Sequence, residues 1–438
     1  MSFFNDKTKI NYFKIGNLSF KLSIFFLASA PFISLFFLLI TSLIGSFLNE
    51  KNFFTEKFNL PLILCGLWMI ISCLFTTFFN NYEYKEYWDN TLSWIGLLNW
   101  IPLFWFFWAI QPFLKFPKDR ELCAKIIIAG SIPVLFSCFT HHFLDWNGPY
   151  SIFNGLIIWY QKPILPNHGV TGLFNNPNYT GSWLNVVWPF LLASFFSKSK
   201  NKSSKIITLF LIILNSIALF LTLSRNAWFG YSLSSIITFS TLISYSNINS
   251  FFYLLPIAIA FSIYCFNNLN LSILDFLTNK FYREFSPNNY TNIDITRLNI
   301  WSIAIDFILQ KPFLGWGSAS FPVLLSINSD IWKGHTHNLF LEIGISYGLP
   351  SLAILVCFIF FILLKSFENK IKKYEIKNRF AKETLFENAW LISSIILIIS
   401  QFFDVQYFDG RISIIFWILL AGLKNYIVEK PKKELGPQ

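Results

Sequence analysis

Charge is what this sequence has least of. Only 13% of its 438 residues are Asp, Glu, Lys or Arg, against 54% hydrophobic, a balance that excludes an ordinary water-soluble globule. The six cysteines (65, 73, 123, 138, 265 and 357) show no CxxC spacing, so neither a zinc or redox motif nor a disulfide framework is implied. No DxD occurs, and nothing points to a metal-assisted transferase working on nucleotide sugars. The first apolar run, after Lys21, is long and lacks a small-residue cleavage site, so it does not read as a cleavable signal.

What the sequence has instead is long apolar runs, with 54 Phe and 16 Trp. Residues 59–79 and 91–110 carry no charge, and each is long enough to cross a hydrocarbon core that needs roughly 20 apolar residues. Similar spans are expected at 126–143, 181–197, 206–223, 226–245, 251–266, 338–364, 388–403 and 411–427. Backbone polar groups in lipid must be satisfied within the segment, so these should be helices. The expected fold is an all-α polytopic integral membrane protein of about 10–12 transmembrane helices, with a large loop before the third-last helix. The expected organisation is one membrane domain: a bundle at 22–266, a loop with an amphipathic helix at 267–336, and C-terminal helices at 337–428.

Basic residues in short loops stay on the cytoplasmic side. Lys115, Lys118, Arg120 and Lys125 mark one such loop, Lys198, Lys200, Lys202 and Lys205 a second, and the segment 365–387 a third. The net charge of +11 is therefore largely a topology signal and gives little reason to propose nucleic-acid binding. Both termini are expected in the cytoplasm. The lysines before residue 22 and the loop 49–58 must then lie on the same side, so residues 22–48 should form a hairpin of short helices broken near Pro31. With this parity all five histidines (141, 142, 168, 335 and 337) reach the outer face, with Arg225, Arg283 and Arg297. Cations and imidazoles where greasy spans end suggest an anionic, membrane-bound substrate.

Four stretches sharpen this. In "LTLSRNAWFGY", Arg225 sits on a tight outer turn, either as a snorkelling residue beside Trp228 or as a phosphate ligand. In "TRLNIWSIAIDFILQKPFLGWG", Leu298, Trp301, Ile305 and Ile308 recur at helical spacing, with Asp294 or Thr296 as cap and Pro312, Gly315 and Gly317 as the end. Arg297 in the first turn of that helix opposes its dipole, a mismatch that a bound phosphate would resolve. In "GLFNNPNYTGSWL", Asn176 caps a helix with Pro177 at its first position, while Asn178 or Tyr179 could line a cavity.

"HTHNLFLEIGISYGLP" puts His335 and His337 at the start of an apolar helix. Asn338, Glu342 and Ser346 repeat every four residues on one face, with His337 adjacent. A histidine there suits general-base work; the structural alternative makes the histidines interfacial, Asn338 a cap, Glu342 an ion-pair partner, and Gly344 and Gly348 a small-residue packing stripe. A zinc reading of His335 and His337 lacks a third ligand in sequence.

Together with "FDVQYFDGRISIIFW", these motifs in this order resemble the O-antigen ligase and polymerase superfamily of bacterial inner-membrane proteins. The resemblance covers most of the chain from about residue 170 onward. It implies a periplasmic site where a glycan passes from an undecaprenyl-pyrophosphate carrier to a glycan, lipid or protein acceptor, with membrane lipids around it and no cofactor or metal. The family's arginines and histidine match Arg225, Arg297 and His337, giving the two arginines to the pyrophosphate and the histidine to the acceptor hydroxyl. Asn178, Asn338 and Glu342 join them as candidate substrate-binding or orienting residues. A branch of the same superfamily proposed to transport bicarbonate shares several motifs; the grouping of ionisable residues at one face, away from the bilayer midplane, argues for the transferase.

Overall fold

The computed structural model describes residues 6–79, 88–164, 169–197, 201–243, 296–329, 331–377 and 384–429. The expected span 251–266, together with His168, Cys265, Arg283 and Asp294, lies outside the described residues. The described helices are α1 (Asp6–Phe26), α2 (Pro31–Leu48), α3 (Leu60–Phe78), α4 (Thr91–Leu97), α5 (Ile101–Ala109), α6 (Pro117–Gly130), α7 (Ile132–Phe143), α8 (Pro177–Phe196), α9 (Lys202–Leu221), α10 (Arg225–Ile243), α11 (Arg297–Gln310), α12 (Phe321–Ser329), α13 (Leu339–Lys377), α14 (Thr384–Ser400) and α15 (Gly410–Val428). The two short strands described, β1 (Tyr150–Ile152) and β2 (Ile157–Trp159), pair as one antiparallel hairpin.

The chain is an all-α polytopic membrane protein. Among the described residues, seven helices or helix pairs are long and apolar enough to cross a membrane, and α14 adds a shorter apolar helix. A helical hairpin breaks at residues 27–30, beside Pro31 as expected, with α1 packed along α2, but it is built of two full-length helices over residues 6–48 and not of two short ones within 22–48. Its first helix begins at Asp6, because the lysine-bearing stretch continues the helix beyond its apolar part. The stretch 91–110 breaks at Leu98–Trp100 into α4 and α5.

The bundle is organised around two helices buried on every side. Thr180 through Ala193 of α8 and Arg411 through Leu423 of α15 are buried without interruption. A helix in that position needs polar groups that neighbours can satisfy, because lipid cannot. Accordingly, Trp183 Nε1 donates to Ser131 Oγ at 3.0 Å, Trp188 Nε1 to Ser235 Oγ at 3.0 Å and Asn185 Nδ2 to the Ala227 carbonyl at 2.9 Å. These bonds tie α8 to α7 and α10 across the core. The five described cysteines are free.

Gly348 has a role other than packing. It lies inside α13 with φ 81° and ψ 169°, a conformation open essentially to glycine, and splits the helix there. The loop after α11 fills the break: Trp316 N donates to the Ile345 carbonyl at 2.7 Å, Gly317 N to that of Ser346 at 3.1 Å, and Leu349 N to that of Pro312 at 2.7 Å. A Cβ on residue 348 would stand 2.0 Å from the Phe313 carbonyl oxygen. Gly348→Ala is therefore expected to cost about 3 kcal/mol or more, read as a lowered unfolding temperature of the purified protein. An unchanged temperature would show that the kink is not required. Gly344 does serve close packing, its Cα facing Ile308 of α11.

The amphipathic helix forms as α11, capped by Thr296, whose side chain accepts from Asn299 N. Its packed face differs from the expected stripe. Ile300, Ala304, Phe307 and Ile308 are buried, whereas Leu298 and Ile305 are exposed. Two apolar stripes run along this helix, and α13 covers the one whose alanine permits close approach.

Candidate active site

One end of the bundle gathers the starts of α8, α10 and α13 with the turn between α14 and α15. Each start is built by a local cap. Asn176 Oδ1 accepts from Asn178 N at 2.8 Å with Pro177 behind it, as expected. Ser224 Oγ accepts from Ala227 N at 3.2 Å, and Asn338 Oδ1 accepts from Phe340 N and Leu341 N. Leu339 N donates to the Gln401 carbonyl at 2.9 Å, which fixes α13 against the 401–409 turn.

Asp404 stands at the centre of this end and is almost fully buried. His337 Nδ1 lies 3.3 Å from its Oδ1, Val405 N donates to the same oxygen at 3.0 Å, and Asn178 Nδ2 donates to Oδ2 at 2.7 Å. Burial alone would raise the Asp404 pKa; the hydrogen bond from His337, the adjacent imidazoles and Asn178 outweigh it and hold the carboxyl below its ordinary value. An ionised carboxylate can only accept, so the proton between the pair belongs to His337 Nδ1. The His337 Nε2 lone pair is then left available, on a ring that is about a quarter exposed.

Behind this dyad a chain of hydrogen bonds runs into the bundle. Asn178 Oδ1 accepts from Ser224 Oγ at 2.6 Å, and the Asn178 carbonyl accepts from Gln406 Nε2 at 3.3 Å. Gln406 Oε1 takes hydrogen bonds from Ser400 at 3.0 Å and from Ser182. Donors and acceptors alternate without conflict along Ala227, Ser224, Asn178 and Asp404. Such a network holds the carboxylate in one orientation.

The loop bearing the histidines is itself pinned. Glu342 Oε2 accepts from Thr336 N at 3.0 Å, and Thr336 Oγ1 donates to the Asn338 carbonyl at 2.7 Å. His337 adopts φ 55°, a left-handed backbone state uncommon for non-glycine residues, although histidine enters it more readily than most, and such states cluster at functional sites. Its own N–H donates to His335 Nδ1 at 3.1 Å. Asn338 and Glu342 thus hold the helix start and the histidine loop through their side-chain oxygens. Asn178 spends its side-chain amide on Asp404 and Ser224.

Arg297 and Arg225 are both partly exposed at the first residue of their helices. Arg297 is near enough to His335 for its charge to oppose protonation there. Arg225 directly follows Ser224, the residue bonded to Asn178. The structure therefore ties Arg225, Arg297, His337, Asn338, Glu342 and Asn178 to one neighbourhood. Asp404 escaped the sequence reading although it lies inside the quoted "FDVQYFDGRISIIFW", and so did Ser224, Ser182 and Gln406; an aspartate isolated among apolar residues was the available signal.

The three groups His335, His337 and Asp404 supply the third metal donor that the sequence did not offer, with all three donor atoms within 4.8 Å of one another. Their present arrangement suits a hydrogen-bonded dyad better than a metal. His335 Nδ1 already accepts a backbone N–H, so its Nε2 carries the proton and cannot coordinate without breaking that bond.

Burial, partly opposed by Asp404 and reinforced by His337 and Arg297, pushes the His335 pKa down from 6.5 to about 4. Between those values the folded chain binds fewer protons than the unfolded one, so stability rises with pH through this window and is lost on acidification from 6.5 towards 4. The effect is at most about 3 kcal/mol. His335→Gln is expected to flatten the dependence of unfolding temperature on pH in that interval, while any slope due to Asp404 lies lower. An unaltered slope would place the titration elsewhere.

Among known proteins, no curated protein gives a significant match to this chain. Residues 209–356 match the family described as O-antigen ligase, a stretch that includes Arg225, Arg297 and the whole of "HTHNLFLEIG" but neither Asn178 nor Asp404. That stretch of the chain is therefore similar to the O-antigen ligase family.

Proposed function

We propose that this protein transfers a glycan from an undecaprenyl-pyrophosphate carrier to an acceptor hydroxyl, at the periplasmic face of a bacterial inner membrane and without a metal ion. The observation that carries the reading is the His337–Asp404 contact of 3.3 Å, which leaves Nε2 as a proton acceptor on a ring that is about a quarter exposed. Nε2 takes the proton from the acceptor hydroxyl as its oxygen bonds to the anomeric carbon. The bond from that carbon to the pyrophosphate oxygen breaks, and the electron pair leaves with the lipid pyrophosphate. Arg225 and Arg297 neutralise the charge that develops there, the part a divalent cation would otherwise play. Asp404 stabilises the imidazolium that forms, and Asn178 with Ser224 keeps Asp404 in place.

The test is release of undecaprenyl pyrophosphate from a labelled lipid-linked glycan by the purified protein in liposomes, with a panel of acceptors and with chelator present. Arg297→Ala is expected to lower turnover about 10²–10³-fold, and the acceptor that supports turnover separates ligase from polymerase. Bicarbonate uptake by the same liposomes, without turnover on any acceptor, would overturn the reading in favour of anion transport.

A further inference from the structure

The stretch between α7 and α8 contains a surface that glycosyl transfer does not use. Residues 146–161, "WNGPYSIFNGLIIWYQ", carry no charge at all, and they form the β1–β2 hairpin with Tyr150 opposite Trp159 and Ile152 opposite Ile157. Trp146, Tyr150, Ile152, Phe153 and Leu156 are all exposed, Phe153 by 71%. Both strands are edges. In water a lone two-stranded hairpin is at best marginally stable, and exposed edges are usually guarded by lysines or other charges. Here those guards are missing.

The turn is equally unusual for an aqueous loop. Phe153 and Asn154 both have φ 54°. Asparagine tolerates that state, but a phenylalanine in it is strained. The chain accepts that strain in a turn that displays an exposed aromatic ring.

The surface continues directly from a helix that is long and apolar enough to cross a membrane. The candidate span Pro117–Phe143 ends immediately before it, and Phe136, half exposed on the flank of α7, makes an edge contact with Trp146 at 6.2 Å between ring centroids. On the inner side Trp159 Nε1 donates to the Ser29 carbonyl in the α1–α2 turn at 2.9 Å. Gln161 N donates to the Gly172 carbonyl at 3.0 Å, and Lys162 N to Thr171 Oγ1 at 3.0 Å. The hairpin is thus fastened to the segment that leads into Asn176 and Asn178.

We propose that the 146–161 hairpin is an interfacial foot, seated in the headgroup and upper acyl region of the leaflet on the site's side. Tryptophan and tyrosine are at home at that depth, and apolar area without charge is what such a foot buries. By resting there it fixes the level of the Asn178 end of the bundle relative to the headgroups. The inference does not depend on glycosyl transfer, since an anion transporter would be anchored in the same way.

The test replaces Phe153 with the environment-sensitive amino acid Anap in the full-length protein, reconstituted in nanodiscs of phosphatidylcholine and phosphatidylglycerol. Position 153 is exposed, so the substitution leaves the core intact. Shallow doxyl-labelled lipid is expected to quench Anap about threefold or more over aqueous iodide, with blue-shifted emission. Quenching by iodide and not by doxyl lipid would put the hairpin in water and overturn the proposal. Protection from both quenchers, with Phe153→Cys chains forming disulfide-linked dimers, would also overturn it and assign the face to a second copy of the chain.

Discussion

Asp404→Asn is expected to lower kcat for glycosyl transfer about 10²–10⁴-fold while leaving KM within about twofold. The reason lies in which ring nitrogen holds the proton. The carboxylate accepts from His337 Nδ1, which frees Nε2 to act as base. An asparagine can turn its NH₂ towards Nδ1, which makes Nδ1 the acceptor and moves the proton to Nε2. The ring keeps its place and loses its function. His337→Ala should reduce turnover at least as far, and the double variant no further than the worse single one, because the two groups act as one unit. Single-turnover measurements on saturating lipid-linked glycan would separate this from lost binding. Full additivity of the two substitutions, or a loss confined to KM, would show that Asp404 does not act through His337.

Much of this was legible in sequence, for identifiable reasons. Apolar runs report spans because lipid offers the backbone no partners, and Asn176–Pro177 reports a helix start because caps are local chemistry. "HTHN" before an apolar run likewise announced polar work at a helix start. What the sequence concealed was distance. Asp404 lies 67 positions from His337, and between spans an aspartate reads as an ordinary loop residue until the turn folds against α13. Gly348 reads as packing in sequence because four-residue spacing to Gly344 is a helical signal; only the loop inserted at Pro312–Gly317 reveals a break.

Asn178 illustrates a middle case. Its place in "NNPNY" made it a candidate for the substrate, and the fold does bring it to the site. Its side chain, however, bonds to Asp404 on one edge and Ser224 on the other. Type and position were readable, whereas the partner was not. A periodicity cannot tell an amide that faces a cavity from one that holds the wall of it.

Arg120 carries the last expected result, at the opposite end of the bundle. Counted along the chain it is one more base marking a cytoplasmic loop, but its side chain is fully buried. It donates through Nε and Nη2 to Glu387, at 3.0 Å and 2.6 Å to Oε1, through Nη2 to Glu429 at 3.0 Å, and through Nη1 to the carbonyls of Leu114 and Lys115. One guanidinium therefore clamps α6, the start of α14 and the end of α15, the two latter being the helices whose other ends meet at Asp404. Arg120→Met removes the guanidinium that Glu387 and Glu429 share and leaves the two carboxylates beside each other, a change expected to cost about 3–5 kcal/mol. Adding Glu387→Leu should restore a large part of that loss, because it removes the repulsion between the two carboxylates and a well-packed apolar pair can replace a buried ion pair. Unfolding temperatures of the purified single and double variants decide it. A double variant no more stable than Arg120→Met alone would mean that the arginine stabilises chiefly through its two backbone carbonyls.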